Sequence, residues 1–287
     1  MKKSIALILT AAVSASALTM SGCGAKDTAD SDLTQVYTSF YAMYDITRQI
    51  AGDKAEVHLL CPVGTEPHDY EPKTSEAAKV SNADLFVYNG GGVDSWAAKL
   101  SSALDPSNVV CASEAVSIEN VGDPHVWLSP VCALDEAAVI TSALCSADPD
   151  NAESYNANYE GFRAKAEELI TAYGDALLEL PKRDIVVSHA AFGYLCSLFG
   201  LNQIAIEDSQ GEEPSPARMA EIVSEMKEKD IKYICGEELQ SNKVVETIAA
   251  ETGAEVVELN PFEGDSDESD YFEVMYENLE VLKTILK

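Results

Sequence analysis

The chain has 287 residues, with 19 Lys and Arg against 49 Asp and Glu, a formal net charge of -30 and only four histidines. So acidic a chain is a poor partner for nucleic acid, because that binding depends on Lys and Arg neutralising phosphates. The negative surface suits either solubility or the attraction of cations, and composition does not separate the two.

Residues 1–22 read as a secretory signal and not as part of the fold. Lys2 and Lys3 form a basic start, Ile5 to Leu18 is apolar but too short to span a bilayer, and small residues follow. The run Thr19-Met20-Ser21-Gly22-Cys23 resembles a bacterial lipobox, whose cysteine becomes the lipidated N-terminus, with Met20 standing where Leu is more usual. Residues 23–33 then read as lipidated Cys23 and a small, polar, flexible tether. A chain so processed is extracytoplasmic, anchored to the outer face of the cell membrane. About 265 residues remain, enough for two lobes of ordinary size. No second apolar run approaches the ~20 residues of a membrane span. Six cysteines follow Cys23, none in a C-x-x-C pair. Export favours disulfides, whereas placement within apolar runs favours buried thiols, and both stay open.

Strands and helices alternate over residues 34–150. Gln35–Thr38 reads as a short strand and Phe40–Ala51 as a helix, with Phe40, Met43, Tyr44 and Ile50 on one face and Gly52 as its stop. The strand Glu56–Cys61 leads into the proline-bounded loop PVGTEPHDYEP. A short helix capped at Thr74 or Ser75 follows, then the strand Asp84–Tyr88 and the turn Asn89-Gly90-Gly91-Gly92. A helix through Trp96 and Leu100 and the strand Asn108–Cys111 come next. DPHVWLSP ends this lobe, with Ser129 and Pro130 as N-cap and first residue of a helix to about Cys145.

Residues 151–181 behave differently. Tyr155, Tyr159, Phe162, Ala166, Leu169, Tyr173, Ala176 and Leu180 recur every three or four positions, which predicts a linking helix closed by Pro181. The alternation resumes over 182–287. Asp184–Ser188, Gln203–Ile206, Lys232–Cys235 and Glu255–Leu259 read as strands. Between them lie the helices Ala190–Phe199, one opened by Ser215 and Pro216, and Asn242–Thr252, with a final helix from Tyr271. The predicted class is α/β: two lobes, each a four-stranded mainly parallel sheet with helices on both faces, joined by one long backbone helix.

His68, His125 and His189 fall in loops at strand ends, and Glu263 follows the last strand. Open α/β sheets bind ligands at the carboxyl ends of their strands, so these side chains meet if the two sheets face a common cleft. Three imidazoles and one carboxylate make a closed tetrahedral set for zinc. His58, inside the strand EVHLL, lacks this context and reads as structural. The run Asp265, Asp267, Glu268 and Asp270 reads as a solvated loop. The chain has no H-E-x-x-H and no G-x-S-x-G, and the glycines from Gly90 lack the lysine of a phosphate loop. A zinc hydrolase needs an open water position, which Glu263 closes, so no catalytic residue and no enzyme activity are expected.

TEPHDYEP with SNADLFVYNG, then DPHVWLSP, VVSHAAFGYL, EEPSPARMAEIV and LNPFEGDSDESDYFEVMYENLEVL, resemble the metal-binding solute-binding lipoproteins of bacterial ABC importers, in their zinc-uptake branch. The likeness runs in order over nearly the whole mature chain. It implies an interlobe site that captures Zn2+ and passes it to an ABC permease, in a monomer that meets the membrane only through its lipid anchor. Matched residue by residue, it implies His68, His125 and His189 as ligands. Glu263 matches the fourth ligand of Gram-positive zinc-binding relatives, while Asn260 stands near where manganese-type members place an aspartate. Glu66 and Asp69 are candidates for supporting the site, and Glu66 is an alternative ligand. Manganese-type members carry a carboxylate in place of the third histidine, so Mn2+ is the less favoured cargo. The alternatives are a manganese or iron receptor of the same family and, from other classes, a metal-containing surface adhesin or a zinc hydrolase. The segment SEAVSIENVGDPH lacks the histidine-rich loop that many zinc-branch members carry.

Overall fold

The structure is a computed structural model that describes residues 33–116, 122–209, 211–239, 242–264 and 269–287. The signal, Cys23 and the tether before Leu33 lie outside the described residues, as do Asp265, Asp267 and Glu268 of the acidic run.

The first lobe is built from β1 (Thr34–Thr38), α1 (Tyr41–Ala51), β2 (Ala55–Leu59), α2 (Thr74–Val80), β3 (Leu85–Tyr88), α3 (Ser95–Ser101), β4 (Val109–Cys111) and α4 (Pro130–Ala147). The long helix α5 (Ala152–Leu178) follows; its 27 residues make it about 40 Å long. The second sheet comes from β5 (Asp184–His189), α6 (Gly193–Phe199), β6 (Asn202–Glu207), α7 (Pro216–Glu228), β7 (Tyr233–Gly236), α8 (Lys243–Thr252) and β8 (Glu255–Glu258). The chain ends in α9 (Tyr271–Ile285).

Both sheets are parallel, in the orders β2-β1-β3-β4 and β6-β5-β7-β8. In each, the strand that comes first in sequence lies second in space. The chain therefore winds to one side of it and then to the other, which opens a crevice at that strand's carboxyl end. Strand β5 shows why these segments read as unbroken apolar runs. Ile185 and Val187 join the large core around α1, α4, α5 and α9, while Val186 joins a second core under α7 and α8.

Helix α5 buries Tyr155, Phe162, Ala166, Leu169, Tyr173 and Leu177 against α1, α4 and α9. The last helix does not stay with the second sheet. Tyr271 donates its N–H to Asp45 of α1 (2.9 Å) and its hydroxyl to the Trp127 carbonyl (2.8 Å). Glu263 therefore lies between the last strand of the second sheet and a helix that packs on the first lobe.

Local chemistry explains the element ends. Ser215 accepts from the Arg218 N–H, and Asp270 with Glu273 forms a reciprocal capping box on α9. Ser129 occupies the N-cap position of α4 without a side-chain cap bond. Helix α6 starts at Gly193, three residues later than the sequence pattern, because residues 190–192 turn out of β5. There Ala191 N–H bonds the His189 carbonyl (2.9 Å), and the Phe192 N–H is taken by Gln203 Oε1 (2.6 Å). The six cysteines after Cys23 are free thiols. Burial pushes Cys61, Cys196 and Cys235 up to about 12, so they stay protonated and behave as small apolar residues.

Candidate metal centre

The loop after β2 is pinned at several points before it presents His68. Trp96 Nε1 donates to the Pro67 carbonyl (3.3 Å), and the Tyr70 hydroxyl donates to the Leu60 carbonyl (2.9 Å) with its ring edge-on to Trp96. The His68 N–H itself donates to Glu66 Oε1 (3.2 Å). The Asn89-Gly90-Gly91-Gly92 turn does more than reverse the chain. Asp94 carboxylate oxygens accept the Asn89 and Gly90 N–H groups (2.8 Å each), and the Asn89 amide then donates to the Pro124 carbonyl (2.9 Å). Gly91 has φ +67°, and a Cβ there would meet Pro124 at 3.0 Å, so only glycine lets the turn lie against the His125 loop.

His125 and His189 each have an orienting carboxylate. Asp123 Oδ1 accepts from the His125 backbone N–H (3.0 Å) and pairs with its Nδ1 (2.8 Å). Glu237, just past β7, pairs with His189 Nδ1 at 2.7 Å and also takes the Ser188 hydroxyl. His189 is the last residue of β5, at the crevice of the second sheet. A carboxylate on Nδ1 leaves Nε2 as the free lone pair, fixes the ring and raises its basicity, the usual support of a metal-bound histidine.

The Nε2 atoms converge. His125 Nε2 lies 3.4 Å from that of His68, 3.2 Å from that of His189 and 3.0 Å from Glu263 Oε1, which is 3.7 Å from each of the other two. All four donor atoms lie within 4.8 Å of one another. Zinc–nitrogen bonds of about 2.0–2.1 Å directed to the corners of a tetrahedron separate the corners by about 3.3 Å. These five separations bracket that length. The His125 and His189 side chains are fully buried and Glu263 nearly so, while His68 keeps 10% exposure, so it marks the solvent side. A cleft of about 970 Å³ runs along β6 and reaches the surroundings of the centre at Asp123 and Ala190. The centre is sized for a single ion, not an organic ligand.

Burial acts to lower the affinity of His125 for a proton, but Asp123 and Glu263 override it and raise it. His189 is raised further: burial again opposes, and Glu237 and Glu263 prevail. For Glu263, burial favours the neutral acid, yet hydrogen bonds from the three imidazoles hold it well below the usual carboxylate range. Without an ion, the fold thus favours the ionised form of Glu263 and the protonated forms of His125 and His189, and an incoming cation competes with those protons.

Glu66 lies outside the four-donor group. It lines a cavity of about 20 Å³ with Glu237, Asn260 and Glu263, and burial beside Glu263 pushes it up to about 7. Asn260 turns its side-chain oxygen to the Phe262 N–H (2.7 Å), and Asp69 is exposed. His58 stacks on Tyr37 and bonds Gln35 (2.9 Å), a structural role. Sequence reading passed over Asp123 and Glu237. The first stands two residues before His125 in DPH and the second at the carboxyl end of a strand, so the strand-end rule applied to acids would have found Glu237.

Residues 36–285 match the family described as "ZnuA: Zinc-uptake complex component A periplasmic". The chain belongs to this family. It is similar to the high-affinity zinc uptake system protein ZnuA of Bacillus subtilis (strain 168), 36% identical over 305 residues covering 96% of each chain. Among solved structures, the Zn(II)-bound ZnuA-like domain of Streptococcus pneumoniae AdcA gives a TM-score of 0.78 at 37% identity, covering 88% of this chain and 99% of that one. The laminin-binding protein Lmb of Streptococcus agalactiae, described as bifunctional with adhesin and metal-transporting activity, gives 0.83 at 35% identity, covering 89% and 100%. The resemblance drawn from TEPHDYEP, DPHVWLSP and LNPFEG is thereby borne out, and the two lobes with a long connecting helix are those of this zinc-uptake family.

Proposed function

We propose that this chain is the extracytoplasmic receptor of a zinc importer, holding Zn2+ with His68, His125, His189 and Glu263 and delivering it to the permease of an ABC transporter. The observation that carries this reading is the convergence of four donor atoms within 4.8 Å of one another, five of their six separations falling between 3.0 and 3.7 Å, which suits one tetrahedral ion. Three imidazole nitrogens favour zinc over manganese, whose preference is for oxygen-rich sites. A closed four-donor shell leaves no position for an activated water, which argues for holding the ion and against hydrolysis. The partly open His68 edge serves as the ion's way in. Lipidation at Cys23 keeps a monomeric receptor beside its permease.

The test is competition titration of the metal-free protein with Zn2+ and Mn2+, repeated for His189→Ala. Structural zinc sites bind with ~10–16 kcal/mol, or about 3 kcal/mol per ligand, so losing one ligand should weaken zinc at least about 100-fold. Tighter manganese binding, or an unchanged His189→Ala, overturns the reading. Adhesion is a second reading, favoured by the likeness to Lmb. It predicts retention of the protein on immobilised laminin. If the ion served only such a structural adhesin, stripping it would unfold the chain, whereas a receptor persists as a folded apo form.

A further inference from the structure

Phe262 stands immediately before the Glu263 carboxylate and has φ +58°; Asp230 is the one other non-glycine residue with positive φ among the described residues. A bulky L-residue takes this left-handed conformation only where its surroundings enforce it. Here they do. The Phe262 ring is fully buried, edge-on to Tyr41 of α1 (5.3 Å) and to Tyr271 of α9 (5.7 Å). Its N–H is held by Asn260 Oδ1, and Asn260 is tied to Asn278 by two bonds of 2.9 and 2.7 Å.

The flanking backbone is gripped as well. The Pro261 carbonyl accepts Trp127 Nε1 (2.8 Å), and the Gly264 carbonyl accepts the Gly64 N–H (2.9 Å). Trp127 lies two residues past His125, and Gly64 lies four before His68. A side chain at Gly264 would meet the Thr65 carbonyl at 2.9 Å, so the two loops touch backbone to backbone. The segment bearing the fourth donor is therefore clamped on both sides by the loops that bear two of the histidines.

We propose that Phe262 is the positioning residue for the fourth ligand: its ring, seated in the first lobe, enforces the left-handed turn that aims the Glu263 carboxylate at the three imidazoles. The proposal rests on Glu263 being a ligand. Without the ring the backbone relaxes to negative φ, a rotation of more than about 100°, which carries Glu263 away from the cluster.

A double-mutant cycle tests it. Zinc affinity is measured by chelator competition for the wild-type chain, Phe262→Ala, Glu263→Ala and the double variant, and the Co2+-loaded forms are compared by visible absorption. Phe262→Ala should weaken zinc tenfold or more in the wild-type background but less than twofold when Glu263 is already Ala. Its cobalt spectrum should match that of Glu263→Ala. An equal loss in both backgrounds means that Phe262 only packs the core, and overturns the proposal. Unchanged affinity in Glu263→Ala alone instead removes the ligand assignment, a separate failure. Phe262→Leu, which keeps apolar bulk, carries the same cycle if the Ala variant does not fold.

Discussion

Glu237→Gln isolates what an orienting carboxylate contributes. Glu237 is buried, pairs with His189 Nδ1 at 2.7 Å and accepts the Ser188 hydroxyl. Glutamine keeps the shape and an acceptor oxygen but removes the charge. Two consequences oppose each other. The less basic imidazole is a weaker donor, and changes to such partners cost 10–100-fold in affinity; for this conservative change the lower end applies, about tenfold or roughly 1.4 kcal/mol. The same change lowers the raised His189 pKa, because Glu237 is the largest influence raising it against burial. Proton competition for Nε2 then weakens. The affinity loss should therefore be full at pH above the imidazole range and shrink as pH falls, making the variant's affinity less steep in pH than the wild type's. Competition with a chromophoric chelator from pH 6 to about 8.5 reads both quantities. A loss under about threefold at the alkaline end, or a loss that grows on acidification, refutes the reasoning.

Zinc should raise the melting temperature more at high pH than at low. The raised His125 and His189 stabilise the metal-free fold while protonated, fully below the unfolded value of about 6.5, and that contribution is lost as pH rises through their folded pKa values. The depressed Glu263 acts in the opposite sense, contributing above its unfolded value and losing that contribution only as pH falls through its folded one. Differential scanning fluorimetry with and without Zn2+ checks this, and a shift independent of pH contradicts it. Gly91→Ala should cost roughly 1–3 kcal/mol in urea denaturation, since its φ is +67° and the new Cβ meets Pro124; it should also weaken zinc by moving His125.

Much of this architecture was legible in the chain. Hydrophobic runs punctuated by Gly52, Gly200 and Gly253 marked eight strands and their helices to within a few residues, because strand and helix periods are local properties. The three histidines and Glu263 stood out because a parallel sheet places its ligands at strand ends, a rule that needs order but not coordinates. Partners far apart in sequence were not legible. Nothing local to Glu237 ties it to His189, 48 positions away, nor Trp127 to Pro261, 134 away.

The proline-bounded PVGTEPHDYEP loop, read beside His125, His189 and Glu263 in their places after strands, determined that an imidazole would be presented at a strand end. The sequence also determined that three such groups and a carboxylate would be available, since residue type and strand order are written in it. Tertiary structure decided the rest. It brought the four donor atoms within 4.8 Å of one another, chose Glu263 over Glu66 and Asn260 for the group, and returned α9 to the first lobe so that the segment before it delivers the fourth donor. The physical reason is that coordination depends on distances of a few tenths of an ångström between groups up to 195 residues apart, set by how two cores pack and not by any local propensity.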